Sequence, residues 1–110
     1  MRYTVKLTVT VVEQITEYAR FIAELRRAPE IAQRWLERVY DSIDKLDHMP
    51  QRCGLAPENG HRPYEIRRLL IGHYLALFTI DEENRVVHVI GFRHGHRLPR
   101  PSDLPAKPPD

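Results

Sequence analysis

An α+β fold is predicted by three features of the chain: an opening run of period two, a pair of helical-period segments separated by a proline, and three further strand-like runs divided by turn residues. The expected architecture is a first strand and an antiparallel helical hairpin packed on a mainly antiparallel sheet that contains a three-stranded meander. Residues 1–97 would form this single domain and residues 98–110 a proline-rich extended or disordered tail. A length of 110 residues is near the mode for one domain, and 42% hydrophobic with 29% charged residues is too apolar for wholesale disorder and too charged for a membrane bundle. The longest apolar stretch, 69–80, is interrupted by Gly72 and His73 and falls short of the roughly 20 residues that a spanning helix needs. No charged-then-apolar leader opens the sequence, and Cys53 is the only cysteine, so neither a disulfide nor a cysteine-based metal site can form within the chain. A cytoplasmic location is the expectation.

Residues 2–8 set Tyr3, Val5 and Leu7 against Arg2, Thr4, Lys6 and Thr8, the alternation of a strand with one buried face. From Thr10 the period changes, and Val11, Ile15, Tyr18, Ile22 and Leu25 recur opposite Glu13, Glu17, Arg20 and Glu24. Thr10 is the expected N-cap, with Glu13 completing a capping box, and Arg26 and Arg27 suit the carbonyl end of the dipole. Pro29 ends that helix and opens the next, because a proline at the first helical position gives up only an amide that has no partner inside the helix. Ala32, Trp35 or Leu36, Val39, Ile43 and Leu46 then carry a second apolar stripe. Residues 47–63 hold Pro50, Gly54, Pro57, Asn59, Gly60 and Pro63 and are expected to be irregular. Strands follow at 64–71, 74–80 and 85–92, joined by a two-residue turn at Gly72 and His73 and a longer one at 81–84. Apolar residues on both faces of these strands require a cover on the second side, from a helix or a partner. The first strand should join the meander, although periodicity does not name its neighbour.

Charge is uneven. Residues 1–50 balance eight Lys/Arg with eight Asp/Glu, whereas residues 85–101 hold Arg85, Arg93, Arg97 and Arg100 without an acid, beside His88, His94 and His96. Such a patch attracts a phosphate backbone or an acidic protein. His94 and His96 would share a strand face, but zinc needs more ligands and the arginines repel a cation, so neither a metal nor a cofactor is expected. Cys53 has His48 and His61 near in sequence without a recognisable nucleophile context, and reads as a bland thiol. There is no phosphate-binding glycine loop, carboxylate pair or Ser-His-Asp pattern. Metal-free RNA cleavage would still have raw materials in Arg67, Arg68, Tyr74, His94, His96 and Arg97, with arginine stabilising a phosphorane-like transition state and histidine or tyrosine moving protons. Arg67 and Arg68 point to opposite faces of a strand, so one would be structural and the other exposed. Tyr74 and Trp35 also suit plain core packing.

The order of strand, helical hairpin, proline-rich loop and meander ending in an Arg/His cluster resembles the RelE/ParE superfamily of bacterial type II toxins over about residues 2–99. The stretches that carry the resemblance are Pro29-Glu30-Ile31-Ala32-Gln33-Arg34-Trp35-Leu36, residues 43–50, Glu65 to Tyr74, and Arg93-His94-Gly95-His96-Arg97. It implies a growth-inhibiting toxin held inactive by a cognate antitoxin. Nuclease members typically place an arginine directly after the tyrosine that opens the second meander strand; here Leu75 follows Tyr74, which removes a phosphate-binding donor. His94-Gly95-His96-Arg97 is similar to the ending of ParE-like chains. The ParE-like branch is therefore preferred, a toxin that binds DNA gyrase rather than an enzyme, neutralised by a ParD-like antitoxin in a hetero-oligomer. The alternatives are a RelE-like ribosome-dependent mRNA endoribonuclease, with Arg67, Arg68, Tyr74, His94 and Arg97 catalytic, or a non-toxic interaction or nucleic-acid-binding domain of the same fold. The resemblance further implies that the antitoxin covers Tyr18, Trp35, Leu75 and Leu77 and sets acidic side chains on Arg67, Arg93 and Arg97. Arg93, His94, His96 and Arg97 would meet the target.

Overall fold

The computed structural model describes residues 2–109; Met1 and Asp110, within the ranges expected above, lie outside the described residues. In chain order the elements are β1 (Thr4–Leu7), α1 (Val9–Arg26), α2 (Pro29–Asp44), β2 (Arg67–Ile71), β3 (Tyr74–Asp81) and β4 (Val86–His94). The strands form one sheet in the order β1-β4-β3-β2. The meander is antiparallel, and β1 lies parallel to β4 with Thr4 opposite Val86 and Leu7 opposite Val89. The expected α+β class, hairpin and meander are all present. Among the described residues no helix is long and apolar enough to cross a membrane.

Local chemistry explains most boundaries. Thr8, not Thr10, caps α1: its Oγ1 accepts the Val11 N–H at 3.2 Å from an extended backbone. The helix begins as soon as β1 ends, so Thr10 already lies in its first turn. The buried stripe of α1 is Val11, Ile15 and Ala19, while Leu25 is 67% exposed. Arg27 ends α1 in the left-handed region with φ 51°, and Pro29 takes the first position of α2 as expected. Ala32, Val39 and Ile43 are buried along α2, with Leu46 just beyond it, and Trp35 and Leu36 share the stripe because both are half-buried. Gly72, with φ 60°, makes the two-residue turn between β2 and β3.

The turn between β3 and β4 is closed by Asp81, whose carboxylate accepts the Asn84 N–H at 3.1 Å and its Nδ2 at 2.9 Å. These hydrogen bonds hold the Asp81 carboxyl below its ordinary range. A lowered folded pKa means that the stabilisation is whole above about pH 4, where the unfolded carboxyl is ionised, and fades as pH falls through the folded value. Asp81→Asn should therefore lower stability at neutral pH, where the carboxylate's contribution is whole, and flatten the acid side of the curve so that the two proteins converge as pH falls, as urea unfolding across that range would read.

The two faces of the sheet carry separate cores. The helices cover one face, where Ile15, Val39, Ile43, Phe78, Val89 and Phe92 are buried together. On the second face Ala56, Ile66, Leu75, Leu77, Ile90 and Leu104 form a smaller cluster. A bulge decides which residues join it: Leu77 pairs with Gly91 but Phe78 pairs with Val89, leaving Ile90 as the extra residue. The strand changes parity there, so Phe92 returns to the helical side and Arg93 turns to the second. The proline-rich tail passes over the same place. Pro101–Asp103 form a short 3-10 turn and Leu104 is 6% exposed, because the second face offers apolar surface that the chain itself covers.

Candidate partner-binding site

The end of the sheet where β3 begins and β4 finishes is built from rings. Tyr74 pairs with His94 across the strands, and the Tyr74 ring stacks on Phe92 with centroids 5.5 Å apart. Tyr18 from α1 and Trp35 from α2 each meet Tyr74 edge-on at 5.1 Å, the arrangement that ring quadrupoles favour. His94 continues the layer outward, edge-on to Tyr74 at 5.1 Å and stacked with His73 at 6.1 Å and His96 at 5.2 Å. The turn after β4 is tied to the β2–β3 turn by the Gly95 N–H, which donates to the His73 carbonyl at 2.7 Å. A Cβ at 95 would sit 3.1 Å from that carbonyl oxygen, so the close approach favours glycine.

Burial pushes the Tyr74 phenol above its ordinary pKa, with Tyr18 adding to the effect, so Tyr74 stays protonated through neutral pH and is no ready base. The sign is opposite to that of Asp81. A raised folded pKa retains a proton that the unfolded chain loses near pH 10, so stability should fall as pH rises past about 10. Tyr74→Phe should make that alkaline loss shallower in urea unfolding series.

Several charged candidates are committed elsewhere. Arg93 is 8% exposed and donates from Nε to Glu58 at 2.8 Å and from Nη2 to the same carboxylate at 3.2 Å. Its Nη1 donates to the carbonyls of His94 and Arg97. Arg93 is thus not presented to an acidic partner or target, because the bulge turns it onto the second face where Glu58 is buried. Arg67 donates to Glu65 at 2.8 Å and to the carbonyls of Gln51 and Cys53, pinning the irregular loop. Arg68 is exposed, so the expected division of this pair holds. Leu75 and Leu77, expected to be uncovered, are 7% and 2% exposed beneath the second cluster. The physical reason is that residues 56–66 and Leu104 supply the cover assigned to a partner.

The candidate catalytic groups are only partly assembled. Tyr74 and His94 meet, but Arg67 pairs with Phe78 at the far end of β2, about 13 Å along the strand from the Tyr74 pair, and Arg68 projects from the opposite face. Cys53 is half-buried, and burial raises its thiol pKa despite Arg52, Arg67 and Arg68 nearby. It should react with a thiol reagent more slowly than a free cysteine at the same pH, and at the free rate once urea unfolds the chain. Among the described residues no three His, Cys, Asp or Glu side chains converge on a metal position.

Beside these rings lies a groove of about 450 Å³ between α1 and the end of β4, lined by Gln14, Glu17, Tyr18, Phe21, Phe92 and Arg97. Pairing with β1 stops at Val89, so the outer edge of β4 beyond it has no neighbouring strand. Its amides are met by side chains of α1: the Phe92 N–H donates to Gln14 Oε1 at 3.0 Å and the His94 N–H to Tyr18 Oη at 3.2 Å. Phe21 and Leu25 are 58% and 67% exposed beside this edge-capping face, and Arg97 and His96 are exposed in the following turn. The combination of exposed apolar surface and positive charge beside this capped edge suits binding of an acidic-apolar segment through its side chains. Gln14, Phe21 and Glu58 were not singled out by sequence. Phe21 had a readable signal, an aromatic residue three positions after Tyr18; the other two depend on contacts 78 and 35 residues distant.

A meander edged by a parallel strand and backed by a helical hairpin is the architecture shared with RelE/ParE structures. Residues 5–99 match the family described as the ParE toxin of the type II toxin-antitoxin system parDE, and the chain belongs to that family. It is similar in fold to a chain of the chromosomal ParDE system of P. aeruginosa, with TM-score 0.69 and 14% identity over 84% of this chain and 96% of that one. A chain of the RelBE2 toxin-antitoxin complex of Mycobacterium tuberculosis matches with TM-score 0.58 and 23% identity over 86% and 92% respectively. One from the archaeal RelE-RelB complex of Pyrococcus horikoshii OT3 matches with TM-score 0.58 and 17% identity over 89% and 100%. No curated protein sequence matches the chain.

Proposed function

We propose that this ParE-family toxin inhibits growth by binding DNA gyrase, without chemistry of its own, and that a ParD-like antitoxin neutralises it in a cytoplasmic complex. The observation that carries the non-enzymatic reading is the dispersal of the catalytic candidates: Arg67 spends its donors on Glu65 and the loop, Arg68 projects from the opposite face of β2, and Leu75 is buried where the nuclease pattern has an arginine. Loss of one donor to a developing phosphorane costs about 100-fold or more. Inducible expression in a bacterium tests the reading. Growth arrest with trapped gyrase cleavage complexes and stable messages is expected; rapid loss of translated messages with normal supercoiling would overturn it. The adjacency of Tyr74 and His94 favours the ribonuclease as the second reading, and the same message assay decides it.

For the antitoxin, the α1–β4 groove is the proposed seat, with Tyr18, Phe21 and Phe92 at its aromatic wall and Arg97 at its charged end. Trp35 is the only tryptophan, is half-buried and stands edge-on to the Phe92 ring that lines the groove, so its emission senses occupancy through that ring. Adding the antitoxin should shift that emission to the blue, and Phe21→Asp should weaken the complex at least tenfold while leaving the melting temperature of the free toxin nearly unchanged.

A further inference from the structure

We propose that residues 98–109 are a detachable strap, an extended peptide ligand that the chain carries for the second face of its own sheet. The segment holds prolines at 99, 101, 105, 108 and 109, which stiffen it and lower the entropy lost on docking. Only one of its side chains is buried, that of Leu104. The Leu104 side chain lies over Gly91, where a Cβ would come within 2.9 Å of its Cδ2, so the missing side chain at 91 is the socket for the leucine. Leu77 and Ile90 wall the socket. Two side chains read the strap's backbone: Arg62 Nη2 donates to the Leu104 carbonyl at 3.1 Å, and Tyr64 Oη donates to the Pro105 carbonyl.

One apolar anchor in a socket, flanked by carbonyls that side chains recognise and set among prolines, is how protein surfaces bind extended peptides in trans. No strand ladder fixes the segment, so release breaks few contacts. The family match ends at residue 99, while Leu77, Ile90 and Gly91 lie inside it. The strap is therefore an addition docked on the shared toxin fold, and its resident ligand is this chain's own leucine-proline segment. The inference does not depend on the toxin's target.

A labelled synthetic peptide of residues 98–110 tests it against the full chain. The Leu104→Asp chain, its strap released, should bind the peptide at least tenfold more tightly than the unaltered chain, whose own strap competes. A peptide carrying the same Leu104→Asp change should not bind. Leu104→Ala, which removes the anchor without adding charge, makes the same comparison if the aspartate variant unfolds. Equal binding to altered and unaltered chains, or binding to neither, would overturn the proposal. So would global unfolding of both variants, which would make the segment part of the core.

Discussion

Glu58→Ala should lower the unfolding free energy by about 3–5 kcal/mol, because it strands the Arg93 guanidinium in a site already closed to water. Glu58 is 1% exposed and accepts two hydrogen bonds from Arg93, whose Nη1 donates to the carbonyls of His94 and Arg97. A surface pair such as Arg20 with Glu17 would by contrast contribute about 0–1 kcal/mol. Arg93→Met combined with Glu58→Leu removes both charges together and should recover most of the loss, since an apolar pair of similar volume avoids the desolvation cost. Urea unfolding of the two single variants and the double variant forms the cycle that separates a buried ion pair from mere packing. Additive losses, with no recovery in the double variant, would show that Arg93 matters only through its carbonyl contacts.

Phe92→Ala carries the other large expectation, a loss of about 3–5 kcal/mol by the cavity and transfer terms of a buried aromatic. Phe92 is 2% exposed and lies within 6.0 Å, centroid to centroid, of the rings of Tyr18, Trp35 and Tyr74. Its removal should also blur the near-ultraviolet circular dichroism of the cluster, which Glu58→Ala should leave intact because the ion pair lies on the opposite face of the sheet from those rings. Phe92→Leu, which fills most of the volume, should cost well under half as much. The groove shares this side chain, so the alanine variant should lose antitoxin affinity along with stability, whereas Phe21→Asp should lose affinity alone.

Local signals carried the elements and failed at their junctions. Pro29 marked both helices because its missing N–H has only one harmless place in a helix. Gly72 marked the turn because a two-residue turn needs positive φ. The period-two reading failed within β4: strict alternation from Val87 and Val89 would send residues 91 and 93 to the helical face, and the extra residue Ile90 reverses that assignment. Nothing in a run of valine and isoleucine announces a bulge. The same event hid Glu58, since a carboxylate in a turn-rich loop reads as solvated until Arg93 is known to face it. Leu104, isolated among prolines, shows no period at all, and its burial follows from a socket 13 residues earlier in the chain. The aromatic end of the sheet was legible in part, because Tyr18, Trp35 and Tyr74 lie on apolar stripes; the capping of the β4 edge by α1 was not, because it depends on where β1 stops.

The parallel contact of β1 with β4 also has a bearing on time. The helical hairpin can close from neighbouring residues, but Thr4 waits for Val86, so the sheet is a late and non-local event in folding. During synthesis the first strand must remain single, its Tyr3, Val5 and Leu7 unburied, until more than three-quarters of the polypeptide has been made. The groove beside α1 depends on that same closure, since Phe92 and Arg97 follow the pairing residues. A nascent chain therefore has no assembled α1–β4 groove until β4 has been made.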